Sequence, residues 1–530
     1  MGFKLLELKM MPGFSPDDLK AKIAKTLRLN LAEISYTIEK QSLDARDKSF
    51  IHWKIRVGVS SPALKGAAAP AEPLLRIPYQ KRNKKVVVVG SGPAGFFAGY
   101  VLQSAGFEVT IIEQGARVET RAHEIAKFEG SGVLNERSNY AFGEGGAGTF
   151  SDGKLTSRTK TISAERKFIT DTYIQAGAPN EIAYLSHPHL GSDRLRKIVP
   201  TLGRQFGEKG GTLRFDTKVV NIDIDTANGH VRSVDTEKGK IDGDYFIFAI
   251  GHSSYDTFRM MIKNGIPFEV KAFAIGCRVE HRQEVINLSQ WGKATLPGLN
   301  AAEYRLTFSE TIQETFHELS PASVYSFCMC PGGKIVPAAV VPHTSIVNGM
   351  SHYARAGMYA NAAIAVGLDP NRLLGREMDA LEALDWLETL ERKFFDFTGS
   401  YAAPACKIND FIEGKTAGSD VSVEGTSYPM GLVSADFNLL FPRPIATALK
   451  AGMKDFCRKI KGFEEGMMIG LESKTSSPIR AVREKSGKSE AADNLYIVGE
   501  GSGFAGGIVS SGADGVKAAL HILHLFPDSV

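Results

Sequence analysis

The chain has 530 residues, of which 43% are hydrophobic and 23% charged, and its formal net charge is +4. This composition is ordinary for a soluble globular protein, and the length allows roughly two to four domains. The slight positive charge gives no support to nucleic acid as a partner. The N-terminus lacks the apolar core of a signal peptide, no apolar run has the length of a membrane span, and five cysteines do not make a disulfide framework. We therefore expect a cytoplasmic protein without a membrane span.

The first part of the chain has the pattern of a small separate module. A strand-like alternation is followed by Ser15 as an N-cap, Pro16 in the first helical turn and Asp18 at the capping-box position. Helical spacing and two further strand-like runs come next. This order predicts a β-α-β-β module over residues 1–62. Residues 63–83, which are rich in alanine and proline, are predicted to be a linker.

The next part predicts a strand, a glycine-rich turn, a helix and a second strand. The apolar run at residues 86–89 is typical of a parallel strand that is buried on both faces. It leads into G-x-G-x-x-G, formed by Gly90, Gly92 and Gly95. These glycines allow a tight turn, a close approach to a pyrophosphate and close packing of the helix on the strand. Glu113 ends the second strand, at the distance where an acid binds ribose hydroxyls. The pattern predicts a dinucleotide site.

The rest of the chain predicts a middle region of different structure, followed by a strand, turn and helix like those of the dinucleotide site. Residues 244–251 form another apolar run that stops at glycine, whereas residues 271–462 are rich in strand patterns and contain no second phosphate-binding turn. Residues 494–499 predict a strand, and residues 512–525 predict a helix. This order indicates that the two ends of one domain enclose another domain.

Five stretches of the chain resemble a known group of proteins. They are VVVVGSGPAGFFAGYVL, GEGGAGTFSDGKL, AIGHSSYDTF, CMCPGGKIVPA and LYIVGEGSGFAGGIVSSGADG. Together they resemble the two-dinucleotide-fold flavoproteins of the glutathione-reductase-like superfamily, and within it the bacterial family described as uncharacterised FAD-dependent dehydrogenases. The resemblance implies an α/β fold, with a Rossmann-like FAD-binding domain over residues 84–255 and 466–530. A mixed α+β substrate domain over residues 256–465 would be inserted into it.

The resemblance also implies which residues bind FAD. Val219 stands where relatives contact adenine through main-chain atoms. Glu500 stands where relatives usually carry aspartate after glycine, so its carboxylate reaches one methylene further. The residues expected to contact FAD are Gly90, Gly92, Pro93, Ala94, Gly95, Glu113, Gly145, Gly146, Gly148, Val219, Gly251, Gly499, Glu500, Gly506, Gly507 and Ile508.

The candidate catalytic residues rest on weaker patterns. Cys328 and Cys330 are two apart on a strand-like segment, so we expect both on one face, either as a redox pair or as small buried hydrophobic residues. His343 is a candidate proton donor. Arg480 is a candidate anchor for an anionic substrate. No metal site is predicted, because no second pair of cysteines or histidines has the spacing of metal ligands.

These features predict an FAD-dependent oxidoreductase. We expect a dehydrogenase or reductase that moves a hydride through flavin N5 on a small-molecule substrate. NADH or NADPH would serve at most as a transient electron donor, because the middle region contains no second dinucleotide turn. A flavin-dependent monooxygenase, a flavin-binding RNA-associated protein and a redox sensor stay open as alternatives.

Overall fold

The computed structural model describes residues 2–70, 72–157, 159, 161–225, 229–310, 322–415 and 425–526. It contains a small N-terminal sheet, a five-stranded parallel sheet, and an eight-stranded sheet with helices packed on it. Two further small sheets lie beside these. The predicted α/β fold with a Rossmann-like domain and a second mixed domain is confirmed.

The N-terminal module consists of β1 (Gly2–Met10), α1 (Pro16–Leu27), β2 (Ser35–Asp44) and β3 (His52–Ser61). Strand β3 lies between β1 and β2 and is antiparallel to both. The capping box of α1 is confirmed, since the Asp18 amide donates to Ser15 Oγ at 3.1 Å and the Ser15 amide donates to the Asp18 carboxylate at 2.8 Å. The module is joined to the rest of the chain by hydrogen bonds between Gln41 and residues 184–186.

The nucleotide-binding part begins with a run of alternating strands and helices. These are β4 (Lys85–Val89), α2 (Pro93–Ser104), β5 (Glu108–Ile112), α3 (Val118–Ser131), α4 (Ser163–Gln175), α5 (Gly191–Glu208), β6 (Thr212–Arg214), β7 (Val219–Asp225), β8 (His230–Thr236), β9 (Gly239–Asp242), β10 (Tyr245–Phe248) and α6 (Tyr255–Lys263). Strands β7, β8 and β9 form a small antiparallel sheet. Strand β4 is buried on both faces, because Val86 and Val88 pack into one apolar cluster and Val87 and Val89 into another.

The second part alternates strands with longer helices. Its elements are β11 (Phe268–Val270), β12 (Phe273–Arg282), α7 (Gln283–Trp291), β13 (Thr307–Glu310), β14 (Ala322–Pro337), β15 (Val347–Ser351), β16 (Tyr359–Leu368), α8 (Pro370–Leu374), α9 (Ala380–Thr398), β17 (Ala403–Lys407), α10 (Ile408–Glu413), β18 (Leu432–Ser434), α11 (Phe437–Leu440), α12 (Arg443–Lys459), β19 (Met467–Glu472) and β20 (Ile479–Ala481). The large sheet has the order β13-β14-β16-β12-β19-β17-β18, with β15 paired to β14. Ile275, Cys277 and Val279 of β12 pack into the apolar cluster shared with α9 and α12. Because side chains alternate along a strand, Arg278 lies on the opposite face.

The last two elements belong again to the part that contains the five-stranded parallel sheet. Strand β21 (Leu495–Ile497) pairs with β10 in the parallel order β21-β10-β4-β5-β6. Helix α13 (Ile508–His524) packs on α2. The helix starts four residues earlier than predicted, because β-branched and serine residues at its start have low helical propensity and conceal it in the sequence. The domain boundaries at residues 255 and 465 stay predictions.

Candidate functional site

A cleft lies between the carboxyl ends of the parallel strands and the face of the large sheet that carries Arg278. We call it the central cleft. In open α/β sheets, ligands bind outside the carboxyl ends of the strands, where the loops leave room. The stretches that line it lie within residues 89–94, 112–114, 141–154, 217–219, 249–257, 327–328, 348–349, 472–474 and 500–511, together with Arg278.

The first wall of the central cleft is the turn between β4 and α2. Gly90 has a φ of 104°, and a Cβ there would lie 2.4 Å from the Ala249 carbonyl oxygen. A Cβ on Gly95 would lie 1.9 Å from the Gly90 carbonyl oxygen, so both positions admit only glycine. Gly92 is the N-cap of α2 and makes no side-chain cap. The free N–H groups and the positive dipole end of α2 therefore face the cleft and suit an anion.

Glu113 ties this turn to the neighbouring loops. Its Oε2 accepts hydrogen bonds from the Ser91 amide at 3.0 Å and the Ser91 hydroxyl at 2.8 Å. Its Oε1 accepts from the amides of Gly115 at 3.0 Å and Gly143 at 3.1 Å. The carboxylate lies at the end of β5, where the sequence predicts it, and lines the central cleft.

A second helix begins at the same cleft. Gly507 is the N-cap of α13, again without a side-chain cap, and Ile508 lines the cleft beside it. Glu500 Oε2 lies 3.3 Å from His252 Nδ1. The Nε2 atom of His252 is buried and has no hydrogen-bond partner among the described residues.

Most of the residues expected to bind the cofactor line the central cleft. They are Gly90, Gly92, Pro93, Ala94, Glu113, Gly146, Gly148, Val219, Gly251, Glu500, Gly507 and Ile508. Four others do not line the cleft: Gly95, Gly145, Gly499 and Gly506. The contacts of each residue with a cofactor stay predictions.

The opposite wall carries buried and partly buried charges that the sequence analysis did not predict. Arg278 Nε donates to Glu472 Oε2 at 2.8 Å, and Nη2 donates to Asn348 Oδ1 at 2.6 Å. Lys154 Nζ pairs with Asp152 at 2.6 Å. Burial alone would raise the pKa of Asp152, but the cations of Lys154 and Arg355 hold it below its usual range. In the sequence, Arg278 appears only as a charged residue within an apolar strand. Asp152 and Lys154 appear only as charged residues at the end of a glycine-rich run.

A third buried group lies beside these charges. Lys474 Nζ is 3.0 Å from Glu391 Oε1, and the Tyr255 hydroxyl donates to the same oxygen at 2.9 Å. Burial lowers the pKa of Lys474, and burial also raises the pKa of Tyr255. Lys474 lines the central cleft. Its ammonium is held by the buried Glu391 carboxylate.

The two cysteines are placed differently from the expectation of one shared strand face. Cys328 lines the central cleft, whereas Cys330 is fully buried behind it. The pairing of β14 with β16 shifts register between Phe327 and Cys330, and Cys328 has a φ of 44°. A bulge of this kind breaks the simple alternation of side chains.

The other two candidates lie away from the cleft. His343 is exposed and packs its ring against Phe395, with ring centroids 5.2 Å apart. The chain turns away after β14 and places this histidine against α9. Arg480 pairs with Glu269 at 2.5 Å across the small sheet of β11 and β20. Neither residue lines the central cleft.

This fold and site define an FAD-dependent enzyme, and comparisons of the sequence agree. An FAD binding domain family matches residues 83–260. A family described as FAD-dependent protein, C-terminal domain-like, matches residues 272–475, and a domain of unknown function matches residues 3–60. The chain is 37% identical over 525 residues to an uncharacterized protein from Clostridium beijerinckii, with 96% of each chain covered. The chain belongs to the same family as that protein, a family of FAD-dependent proteins.

Solved structures of flavoproteins are more distant. CtdE in complex with FAD is 11% identical, with 83% of this chain and 82% of that chain covered and a TM-score of 0.31. A geranylgeranyl bacteriochlorophyll reductase-like protein from Thermoplasma acidophilum is 12% identical, with 83% and 78% covered and a TM-score of 0.36. Glycine oxidase from Bacillus cereus is 11% identical, with 84% and 96% covered and a TM-score of 0.33. Likeness at this level bears on neither substrate nor reaction.

The residues of the central cleft fit FAD. Two helices of 12 and 17 residues begin at the cleft without side-chain caps, which suits a group that carries negative charge at two places. The glycine-rich turn leaves no side chain between the start of α2 and the cleft, since Gly90 packs against the Ala249 carbonyl oxygen and Gly92 is the N-cap. FAD is thus the cofactor of a flavin oxidoreductase. Among the described helices, none is both long and apolar enough to cross a membrane.

Proposed function

We propose that this protein is an FAD-dependent dehydrogenase or reductase of a small-molecule substrate that binds in the central cleft. One observation carries the proposal. The same cleft that begins at the glycine-rich turn ends at a wall of ionisable side chains, among them the buried Arg278 and Lys474 and the partly exposed Lys154. A cofactor held at the first end leaves this wall as the surface that a substrate meets.

Each end of the cleft has its own task. The N-terminus of α2 would bind the pyrophosphate, and Glu113 would bind the ribose. The N-terminus of α13 would face the end of the ring system where negative charge develops on reduction. FAD, when bound, accepts and donates electron pairs, which is the chemistry that side chains cannot supply.

The side chains of the far wall would orient the substrate and handle protons. Lys474 is the candidate proton donor, because burial lowers its pKa toward the range where an ammonium gives up a proton. Arg278 is held by Glu472 and Asn348, so it offers a fixed positive charge and not a mobile one.

Anaerobic visible spectroscopy of the purified protein tests this proposal. Addition of NADH and then NADPH separates the candidate reactions. Fast bleaching of the oxidised flavin by one donor supports a reductase, and a further requirement for oxygen with substrate would instead indicate a monooxygenase. A flavin that neither donor reduces supports a dehydrogenase if screened substrates bleach it, and a redox sensor if none does. Absence of FAD binding after incubation with FAD would overturn the proposal.

A further inference from the structure

We propose that Cys328 and Cys330 form a dithiol–disulfide couple that exchanges an electron pair with FAD bound in the central cleft. The role of FAD as the electron donor or acceptor in this inference rests on the proposed function. The thiol chemistry does not, because it can be measured on flavin-free protein.

The first argument is the backbone at Cys328. Phe327 pairs with Ala363 and Cys330 pairs with Asn361, so β14 carries one more residue than β16 between these pairs. Cys328 takes up the extra length with a φ of 44°, in the left-handed region that favours glycine. A non-glycine residue held in this region is strained, and such strain gathers at functional sites. The bulge presents Cys328 to the cleft.

The second argument is what holds the bulge. Arg278 Nη1 donates to the Cys328 carbonyl oxygen at 3.0 Å, and Lys154 Nζ donates to the Met329 carbonyl oxygen. Two cations from different parts of the fold therefore stabilise consecutive carbonyl groups of the bulge. The Cys330 sulfur lies 3.4 Å from the Cys328 carbonyl oxygen, which keeps it close to the bulge. The arrangement sets a partly exposed cysteine against a buried one.

The third argument is the charge around the two sulfurs. The hydrogen bond from Cys330 lowers the pKa of Cys328 below its ordinary value; Lys154 and Arg278 lower it further, while burial and Asp152 oppose them. Glu472 also faces this site, through Arg278. The hydrogen bond to Cys328, together with burial, raises the pKa of Cys330. The two pKa shifts are opposite in direction, so Cys328 has the greater thiolate character and Cys330 the greater thiol character, which is the arrangement of a nucleophile and its resolving partner.

The other cysteines of the chain lack these features. Burial raises the pKa of Cys277, Cys406 and Cys457, and none of the three lines the central cleft. Cys457 is partly exposed like Cys328. Cys457 is therefore the matched control: its thiol is partly accessible to a reagent, but its pKa is not lowered.

The electron transfer balances without a further reactant. In the oxidising direction, Cys328 enters as a thiolate and Cys330 loses its thiol proton as the S–S bond forms. Two electrons pass to FAD, which takes one proton from Cys330 and one from solvent to become FADH2. The reverse direction breaks the S–S bond and returns FAD. The couple is thus a second two-electron store beside the cofactor.

Thiol measurements on flavin-free protein test the chemistry of the pair. Reduced protein should show all five thiols, and mild diamide oxidation should leave three, because one disulfide removes two of the five. Iodoacetamide should alkylate Cys328 with a pH midpoint well below that of Cys457, because the pKa of Cys328 is lowered and that of Cys457 is raised. Cys330→Ala should raise the Cys328 midpoint, because the hydrogen bond from Cys330 is the largest cause of the lowered pKa, whereas Cys330→Ser keeps a hydrogen-bond donor and should raise it less. Five thiols after oxidation, or equal midpoints for Cys328 and Cys457, would overturn the inference.

An anaerobic dithionite titration of FAD-loaded protein tests the coupling. Oxidised wild type should take up four electrons per FAD, and the Cys328→Ser/Cys330→Ser variant should take up two. Cys457→Ser should match wild type, and equal FAD absorbance of all three proteins shows that the cofactor site is intact. Two electrons per FAD in wild type would reject the couple and leave the proposed function standing. Failure of every protein to bind FAD would reject the proposed function. The thiol counts on flavin-free protein would still test whether Cys328 and Cys330 form a disulfide.

Discussion

Arg278 and Glu472 form an ion pair of 2.8 Å inside the protein, with side chains only 1% and 2% exposed. They stand on β12 and β19, which are neighbours in the large sheet. Arg278 places a positive charge on the wall of the central cleft, and the Glu472 carboxylate compensates that charge. Because Arg278 also holds the bulge at Cys328, this pair connects the packing of the sheet with the surface that faces the cofactor.

Loss of one partner of this pair should destabilise the protein strongly. Arg278→Leu leaves the Glu472 carboxylate buried without its cation, and we expect the free energy of unfolding to fall by about 3–5 kcal/mol. Urea denaturation of the flavin-free protein measures it. The double variant Arg278→Leu/Glu472→Leu should recover part of the loss, because it no longer buries a lone charge. A single variant as stable as wild type would contradict this interpretation of the pair.

Glu113 should contribute to FAD affinity more than any exposed acid of its strand. Glu113→Ala removes the acceptor of four hydrogen bonds at the first end of the cleft. We expect FAD binding to weaken roughly 10- to 100-fold, in line with about 1.5–3 kcal/mol for hydrogen bonds to a charged group. Fluorescence titration with FAD measures the change. Glu108→Ala, at an exposed position of the same strand, should bind FAD like wild type.

Gly95 and Gly130 offer a matched test of the close contact at the glycine-rich turn. Both lie within helices, but a Cβ on Gly95 would meet the Gly90 carbonyl oxygen at 1.9 Å, whereas a Cβ on Gly130 meets nothing within 4 Å. Gly95→Ala should therefore lower both stability and FAD affinity. Gly130→Ala should raise stability by about 0.5–1 kcal/mol, because alanine is the better helix former. Thermal unfolding with and without FAD compares the two, and an equal effect of both changes would speak against the packing described.

His281 should make stability depend on pH. Burial lowers the pKa of His281 from its ordinary value of 6.5 to about 4, and its Nε2 donates to the Phe463 carbonyl oxygen at 2.9 Å. Below pH 6.5 the unfolded chain binds a proton that the folded chain excludes. The free energy of unfolding should therefore fall by about 3 kcal/mol as the pH drops from 6.5 to 4.

Denaturation at pH 7.5, 5.5 and 4.5 checks this dependence. His281→Gln should lose that part of the pH slope, since glutamine does not titrate. His343→Gln, at an exposed histidine, should keep the slope of wild type. A His281→Gln slope equal to that of wild type would show that other groups cause it.

The sequence by itself determined the features that depend on near neighbours in the chain. The capping box of Ser15 and Asp18 spans three residues, and the glycine-rich turn after β4 follows from a short apolar run and three glycines. Such features need only local hydrogen bonds and backbone freedom, so their residue types mark them. Glu113 belongs with them, because a strand, a turn, a helix and a second strand fix its distance from the turn.

Only the tertiary structure decided the far wall of the cleft. Arg278 and Glu472 are 194 residues apart, and no local pattern pairs them. The same reason explains why His343 and Arg480, chosen for their nearness to motifs in sequence, lie away from the cleft. It also explains Cys328, whose placement depends on a bulge that two distant cations stabilise. Packing of one sheet against another, and not chain distance, brings these groups together.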